Sequence, residues 1–178
     1  MFPNWFQSVS PYFDRKCPNV PLRALQIGTY TGDATEWLLI NREIEYLYDV
    51  DTWEGSEEVQ HESLDFNSVE SYYDSRFANN TKVIKNKMTS DEFFNQNTKT
   101  FNFIYIDGSH TALQTALDGL NAFKCLEPGG VIAFDDYLWG YGGKPFLEPK
   151  RGVDAFLQVC EGEVRCLEGG YQMWFEKC

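Results

Sequence analysis

The sequence predicts an α/β protein: a doubly wound, mostly parallel sheet of about seven strands that ends in an antiparallel hairpin. Three observations lead there. Short apolar runs alternate with segments of helical period, the pattern of βαβ units. The runs Phe101–Ile106 and Val131–Phe134 are each followed directly by aspartate, marking abrupt carboxyl ends. The last two runs, 163–168 and 171–176, meet at Gly169-Gly170, a hairpin signal that turns the final strand antiparallel.

The elements follow in order. Arg23 to Ile27 is a strand ending at Gly28. Thr31 to Ile40 is a helix, with Asp33 and Glu36 at capping-box spacing and Trp37, Leu38 and Ile40 on its apolar side. Tyr46 to Val50 is the second strand. Phe66, Val69, Tyr73 and Phe77 recur at helical spacing, which predicts a helix over 64–78. Lys82 to Lys85 is the third strand. Ser90 is placed as the cap of a short helix through Phe94, with Asp91 and Glu92 in its first turn. After the strand Phe101–Ile106, Leu113, Leu117, Leu120 and Phe123 line one helical face. Pro128-Gly129-Gly130 reads as a turn before the strand Val131–Phe134. Residues 137–150 lack any period and read as a loop, and Gly152 to Cys160 fits a helix.

The chain has 178 residues, which suits one domain spanning its whole length. It carries 15 Lys plus Arg against 27 Asp plus Glu, a formal charge of −12. A surface this acidic repels phosphate backbones and anionic lipid, so neither nucleic acid nor membrane is expected as a partner. The five cysteines include no C-x-x-C pair and read as free thiols of a reducing compartment. The N-terminus lacks the basic and apolar regions of a secretory signal, and no run approaches the ~20 apolar residues of a membrane span. Cytoplasm is the expected location.

Four constellations carry chemistry. Gln26-Ile27-Gly28-Thr29-Tyr30-Thr31-Gly32 joins a strand to a helix, and glycine there permits a sharp turn and close approach of a ligand. Its G-x-x-x-G spacing differs from the G-x-G-x-x-G of dinucleotide sites. Asp51 stands past the second strand, where an acid can accept from ribose hydroxyls; Asp49, within the strand, is the rival. Asp107, Asp135 and Asp136 follow apolar strands directly. If those strands are neighbours, about 4.8 Å apart, their carboxylates converge, and a hard cation relieves the repulsion. His110 lies three positions beyond Asp107, and unperturbed imidazole titrates near ~6.5, in the range of a general base. His61 has no such setting and reads as a surface residue. Taken singly, these are also ordinary turn residues, helix caps and loop acids.

Together the motifs resemble the class I S-adenosylmethionine-dependent methyltransferases, and within them the compact metal-dependent O-methyltransferases of the macrocin type. The resemblance runs from about Leu25 to the C-terminus and is most specific in Phe103-Ile104-Tyr105-Ile106-Asp107-Gly108-Ser109-His110 and Leu126–Asp136. It implies a Rossmann-like fold and a cofactor set of Gln26, Gly28, Thr29, Tyr30 and Gly32 at the methionine end. Asp51 would hold ribose, the turn around Met88 to Ser90, with Thr89, would flank adenine, and Asp107 would complete the set. It also implies Mg²⁺ or Mn²⁺ on Asp107, Asp135 and Asp136, with His110 and Asp107 catalytic. The first motif usually opens with an acid; here it is Gln26, which cannot offer a carboxylate to the cofactor ammonium.

The implied reaction is methyl transfer to a hydroxyl of a small molecule. The cation acidifies the hydroxyl, His110 removes the proton, and a vicinal diol such as a sugar or catechol chelates best. Tyr137, Trp139 and Tyr141 would offer aromatic faces to the acceptor, and Gly140, Gly142 and Gly143 would let the loop move as a lid. Two other readings stand beside it: a non-catalytic module that binds a nucleoside or a partner protein, and a nicotinamide-dependent oxidoreductase. The reading leaves a homodimer open.

Overall fold

Ile27, Ile106 and Phe134 each end both an apolar run and a strand, and in the sheet they fall in one row. In the computed structural model, which describes residues 2–55, 64–140 and 148–178, seven strands form one sheet. They are β1 (Leu22–Ile27), β2 (Ile44–Asp51), β3 (Val83–Lys87), β4 (Phe101–Ile106), β5 (Leu126–Phe134), β6 (Val164–Glu168) and β7 (Met173–Lys177). Their order is β3-β2-β1-β4-β5-β7-β6. The first five are parallel, and β7 inserts antiparallel between β5 and β6. The chain reverses its direction of winding between β1 and β4. Open α/β sheets bind ligands outside the carboxyl ends at such a point.

The helices are α1 (Ser10–Lys16), α2 (Asp33–Asn41), α3 (Phe66–Phe77), α4 (Ser90–Gln96), α5 (Ala112–Cys125) and α6 (Pro149–Val159). Alternation along the strands divides the core. Leu25, Ile104, Ile106, Ile132 and Phe134 face one way, towards Phe156 of α6. Ala24, Phe103, Tyr105 and Ala133 face the other, towards α1 and α2. Phe13 of α1 is fully buried there, with its ring 4.8 Å from Tyr105 and 5.1 Å from Trp174. α1 was not foreseen. Its seven residues carry too short a pattern, and Phe13 acts through contacts distant in sequence.

Several local expectations need correction. Asp33 and Glu36 form no capping box, because the α2 cap is Gly32; both acids instead pair with Arg76 of α3, each at 2.8 Å. Ile40 is 73% exposed, not on the apolar side. The cap of α4 is Thr89, one residue before Ser90, in a full capping box with Glu92. Pro128-Gly129-Gly130 lies within β5, at a register irregularity opposite Phe101–Phe103. Leu113, 72% exposed, and Leu117 do not line the buried face of α5; Thr115, Asp118, Gly119 and Ala122 do. Close packing explains this. A Cβ on Gly119 would come within 2.8 Å of the Phe134 ring, and one on Gly152 of α6 within 2.5 Å of the Ala112 carbonyl. Small residues let these elements approach, and large ones would hold them apart.

Candidate active site

Backbone hydrogen bonds stitch the strand ends together. Gly28 N–H donates to the Val50 carbonyl at 2.9 Å, Asp107 N–H to Ile27 at 2.8 Å, and Asp135 N–H to Ile106 at 2.9 Å. Gly28, Asp51, Asp107 and Asp135 thus each stand one residue beyond an aligned row of Ile27, Val50, Ile106 and Phe134. A cleft of about 450 Å³ opens over this row, within the usual size of small-molecule sites (~300–1,000 Å³). Gly28 and Tyr30 border it beside Asp51, and Met88 to Asp91 form another wall.

The glycine turn is held from both sides. Gly28 has φ +80, and a Cβ there would sit 1.9 Å from the Asp107 carbonyl oxygen, so only glycine lets β1 and β4 close at this point. Asp51 Oδ2 accepts from the N–H groups of Thr29, at 2.7 Å, and Tyr30, at 2.8 Å, while Oδ1 accepts from Trp53 N–H at 2.7 Å. The Trp53 indole then donates to the Tyr30 carbonyl at 2.9 Å. Tyr30 and Trp53, both at φ 51, are fixed in a backbone region costly for non-glycine residues. Asp51 therefore pins the turn as well as facing the cleft.

The implied cofactor residues divide. Gly28, Tyr30, Asp51, Met88, Thr89 and Asp107 line the cleft. Gln26, Thr29 and Gly32 lie behind it. Gln26 is buried and donates to the Gly28 carbonyl at 3.0 Å, with its Oε1 3.2 Å from Thr35 Oγ1. It pairs in register with Asp49, whose buried carboxylate accepts from Thr35 Oγ1 at 2.8 Å and Tyr73 OH at 2.7 Å. Burial, opposed by those bonds, pushes the Asp49 carboxyl up to about 7. A glutamate at 26 would set a second acid beside it, which gives the amide a physical reason.

At the other end of the row, donor atoms of Asp107, His110 and Asp136 lie within 4.8 Å of one another. His110 Nε2 is 2.9 Å from Asp136 Oδ2. Asp135 stands one layer back: its Oδ2 receives a short hydrogen bond from Tyr105 OH, and its Oδ1 accepts from Asp136 N–H at 2.7 Å. Tyr171 OH donates to Asp136 Oδ1 at 2.6 Å. Burial, then the charges of Asp135 and Asp136, hold the Asp107 carboxyl well above the usual range, against the pull of His110. Burial, then Asp136, pushes Asp135 up to about 6. The cluster is electrostatically strained by itself, and two carboxylates with an imidazole suit a divalent cation.

Other residues were missed or misplaced. Trp5, Phe66, Ser90, Asp91, Gln114 and Asp118 also line the cleft. Gln114 and Asp118 had a signal: two polar residues four apart among leucines on one helix face. Tyr105 had one too, since alternation sets it on the same side as Asp107. Trp139 packs against the His110 ring, tilted by 46° with centroids 4.6 Å apart, whereas Tyr137 packs partly against the core, donates to Asp154 at 2.9 Å and is not among the described residues lining the cleft. His61, Tyr141, Gly142 and Gly143 lie outside the described residues. All five cysteines are free.

Residues 25–137 match the family model described as a methyltransferase domain. The chain belongs to this family. Among curated proteins no sequence matches. Solved structures agree in fold. An O-methyltransferase from Bacillus cereus, in complex with SAH, is 18% identical with a TM-score of 0.63, over 99% of this chain and 82% of that one. The N-methyltransferase NodS from Bradyrhizobium japonicum WM9 is 14% identical with a TM-score of 0.62, over 96% and 92%. The MycE methyltransferase of the mycinamycin biosynthetic pathway, in complex with Mg, SAH and mycinamycin VI, is 16% identical with a TM-score of 0.63, over 99% and 50%. The Rossmann-like fold and the methyltransferase family expected from the motifs are those found. Among the described residues no helix is long and apolar enough to cross a membrane.

Proposed function

We propose that this methyltransferase-family chain moves a methyl group from S-adenosylmethionine to a hydroxyl of a small molecule, with a divalent cation, Mg²⁺ or Mn²⁺, and His110 as base. The observation that carries the reading is the acidic lining of the cleft. Asp51, Asp91, Asp107 and Asp118 line it, and no Lys or Arg is among its described lining residues. Such a cleft favours a ligand carrying sulfonium and ammonium charges over the diphosphate of a nicotinamide cofactor. The acidic cluster beside it supports a cation site.

When bound, the cofactor supplies a methyl electrophile and the cation lowers the pKa of the acceptor hydroxyl. The chain's residues do the rest. The turn from Gly28 to Tyr30, held by Asp51 at Thr29 and Tyr30, shapes the methionine end. The Met88–Ser90 turn, held by the Thr89 cap, flanks the base. Asp107 and Asp136 would hold the cation, with Asp135 behind them. His110 takes the hydroxyl proton. Holding acceptor and methyl group in line accounts for most of the remaining rate. The acceptor class is a vicinal diol, a sugar or catechol, and the chain acts in the cytoplasm without nucleic acid or membrane. The deciding experiment is methyl transfer from labelled cofactor to a panel of sugars and catechols, with Mg²⁺ and with a chelator. Turnover that the chelator abolishes supports the reading. Turnover indifferent to the chelator removes the cation, and no turnover on any diol removes the acceptor class.

A further inference from the structure

Gln172, fully buried just before β7, joins two side chains that set its orientation. An indole N–H can only donate. Trp174 Nε1 lies 2.9 Å from Gln172 Oε1, so the oxygen of the amide must face the indole. Gln172 Nε2 is then turned to Tyr105 OH, at 3.4 Å, and donates to it. The phenol oxygen accepts from the amide, which leaves its single proton for a carboxylate. Two are within reach: Asp135 Oδ2, in the short bond, and Asp107 Oδ2 at 3.3 Å. The polarity of the whole chain is fixed from its apolar end.

The chain continues to the cluster. Asp135 Oδ1 accepts the N–H of Asp136, whose φ of 56 is disfavoured for a residue with a Cβ. Asp136 thus presents its carboxylate from a backbone shape that needs outside support. We propose that Tyr105 and Gln172 are positioning residues of the cation site, delivering one oriented phenolic proton to the Asp107–Asp135 pair and through Asp135 fixing Asp136. This rests on the cation reading of the site. It gives the C-terminal hairpin a role in the site as well as in closing the sheet.

The test is Mn²⁺ affinity, read from the electron paramagnetic resonance of free Mn²⁺, beside SAH affinity by calorimetry and thermal unfolding. Tyr105→Phe keeps the ring against Phe13 and removes only the hydroxyl. Gln172→Met keeps the volume and removes both the amide donor to Tyr105 and the acceptor of the Trp174 indole, so its melting temperature is compared with that of Trp174→Phe, which breaks only the indole bond. Expected are at least a fivefold loss of Mn²⁺ affinity for Tyr105→Phe, a smaller loss for Gln172→Met, and a change in SAH affinity under twofold in both. The double variant should lose less than the sum of the two single losses, because Tyr105 and Gln172 act on the same Asp135 carboxylate. Additive losses, with SAH affinity and melting temperature falling in parallel, mean packing residues and overturn the proposal. Wild-type affinity in both folded variants also overturns it and leaves the cation reading standing. A wild-type protein that binds no Mn²⁺ overturns both. If Tyr105→Phe does not fold, Gln172→Met decides alone: weaker Mn²⁺ with unchanged SAH affinity supports the proposal, and unchanged Mn²⁺ overturns it.

Discussion

His110 and Asp136 meet across the carboxyl end of the sheet, with imidazole Nε2 2.9 Å from carboxylate Oδ2. They come from the loop after β4 and the turn after β5, and adjacent parallel strands bring them together. The carboxylate orients the ring, and Trp139 packs against it. His110→Ala should lower kcat at least ~100-fold, the usual effect of removing a positioned general base. SAH affinity should change less than twofold. Steady-state rates at saturating cofactor and Mg²⁺, beside calorimetry, check this. A loss under about tenfold assigns deprotonation to the cation alone.

Asp51 predicts a double effect. Its carboxylate accepts three backbone N–H groups, two from the glycine turn and one from Trp53 in its own loop, so Asp51→Ala leaves donors without their acceptor. The variant should lose on the order of 2–3 kcal/mol of stability, as well as SAH affinity. Urea unfolding and SAH titration on one preparation check it. Weaker binding at unchanged stability would mean that Asp51 serves the ligand alone.

Asp49 sets a pH dependence. Its carboxyl is raised in the folded protein to about 7, chiefly by burial, while in the unfolded chain it titrates near 3.8. Between those values the folded state holds a proton that the unfolded state has lost. Stability from this group is full below pH 4, falls as pH rises through the window, and is gone above about 7. Asp49→Asn removes the slope. Relative to wild type, the variant should gain on the order of a few kcal/mol between pH 4 and pH 8. Urea unfolding across that range measures the difference, and parallel curves contradict it.

The carboxyls of Asp107 and Asp135 are raised as well, so a divalent cation should stabilise the protein in a pH-dependent way. At low pH protons neutralise the cluster and the ion has little to bind. Above the raised range the carboxylates are ionised and the ion binds the folded form preferentially. Millimolar Mg²⁺ or Mn²⁺ should raise the melting temperature more at pH 8 than at pH 5. An equal rise at both, or none, contradicts a cation at this cluster.

The strand ends were legible because the runs before Gly28, Asp107 and Asp135 stop sharply, and a parallel sheet aligns such stops. The hairpin was legible from Gly169-Gly170. The buried face of α5 was not: periodicity weighs large apolar residues, whereas Gly119 and Gly152 are chosen by how closely elements approach. The site divides in the same way. Tyr30, Asp51, Asp107, His110 and Asp136 could be read from their place after strands. That Asp51 pins the turn, that Gln26 neighbours a buried acid, and that Gln172 reaches Tyr105 from 67 residues away depend on register and on contacts between distant segments.

The central claim, that the cleft over Gly28 and Asp51 holds an S-adenosyl ligand, is tested most directly by calorimetric titration of the full wild-type chain with SAH, with NADH as comparison. Saturable binding of one SAH per chain, weakened by Asp51→Ala, is expected, with no heat from NADH. Binding of NADH without SAH, or of neither, would contradict it.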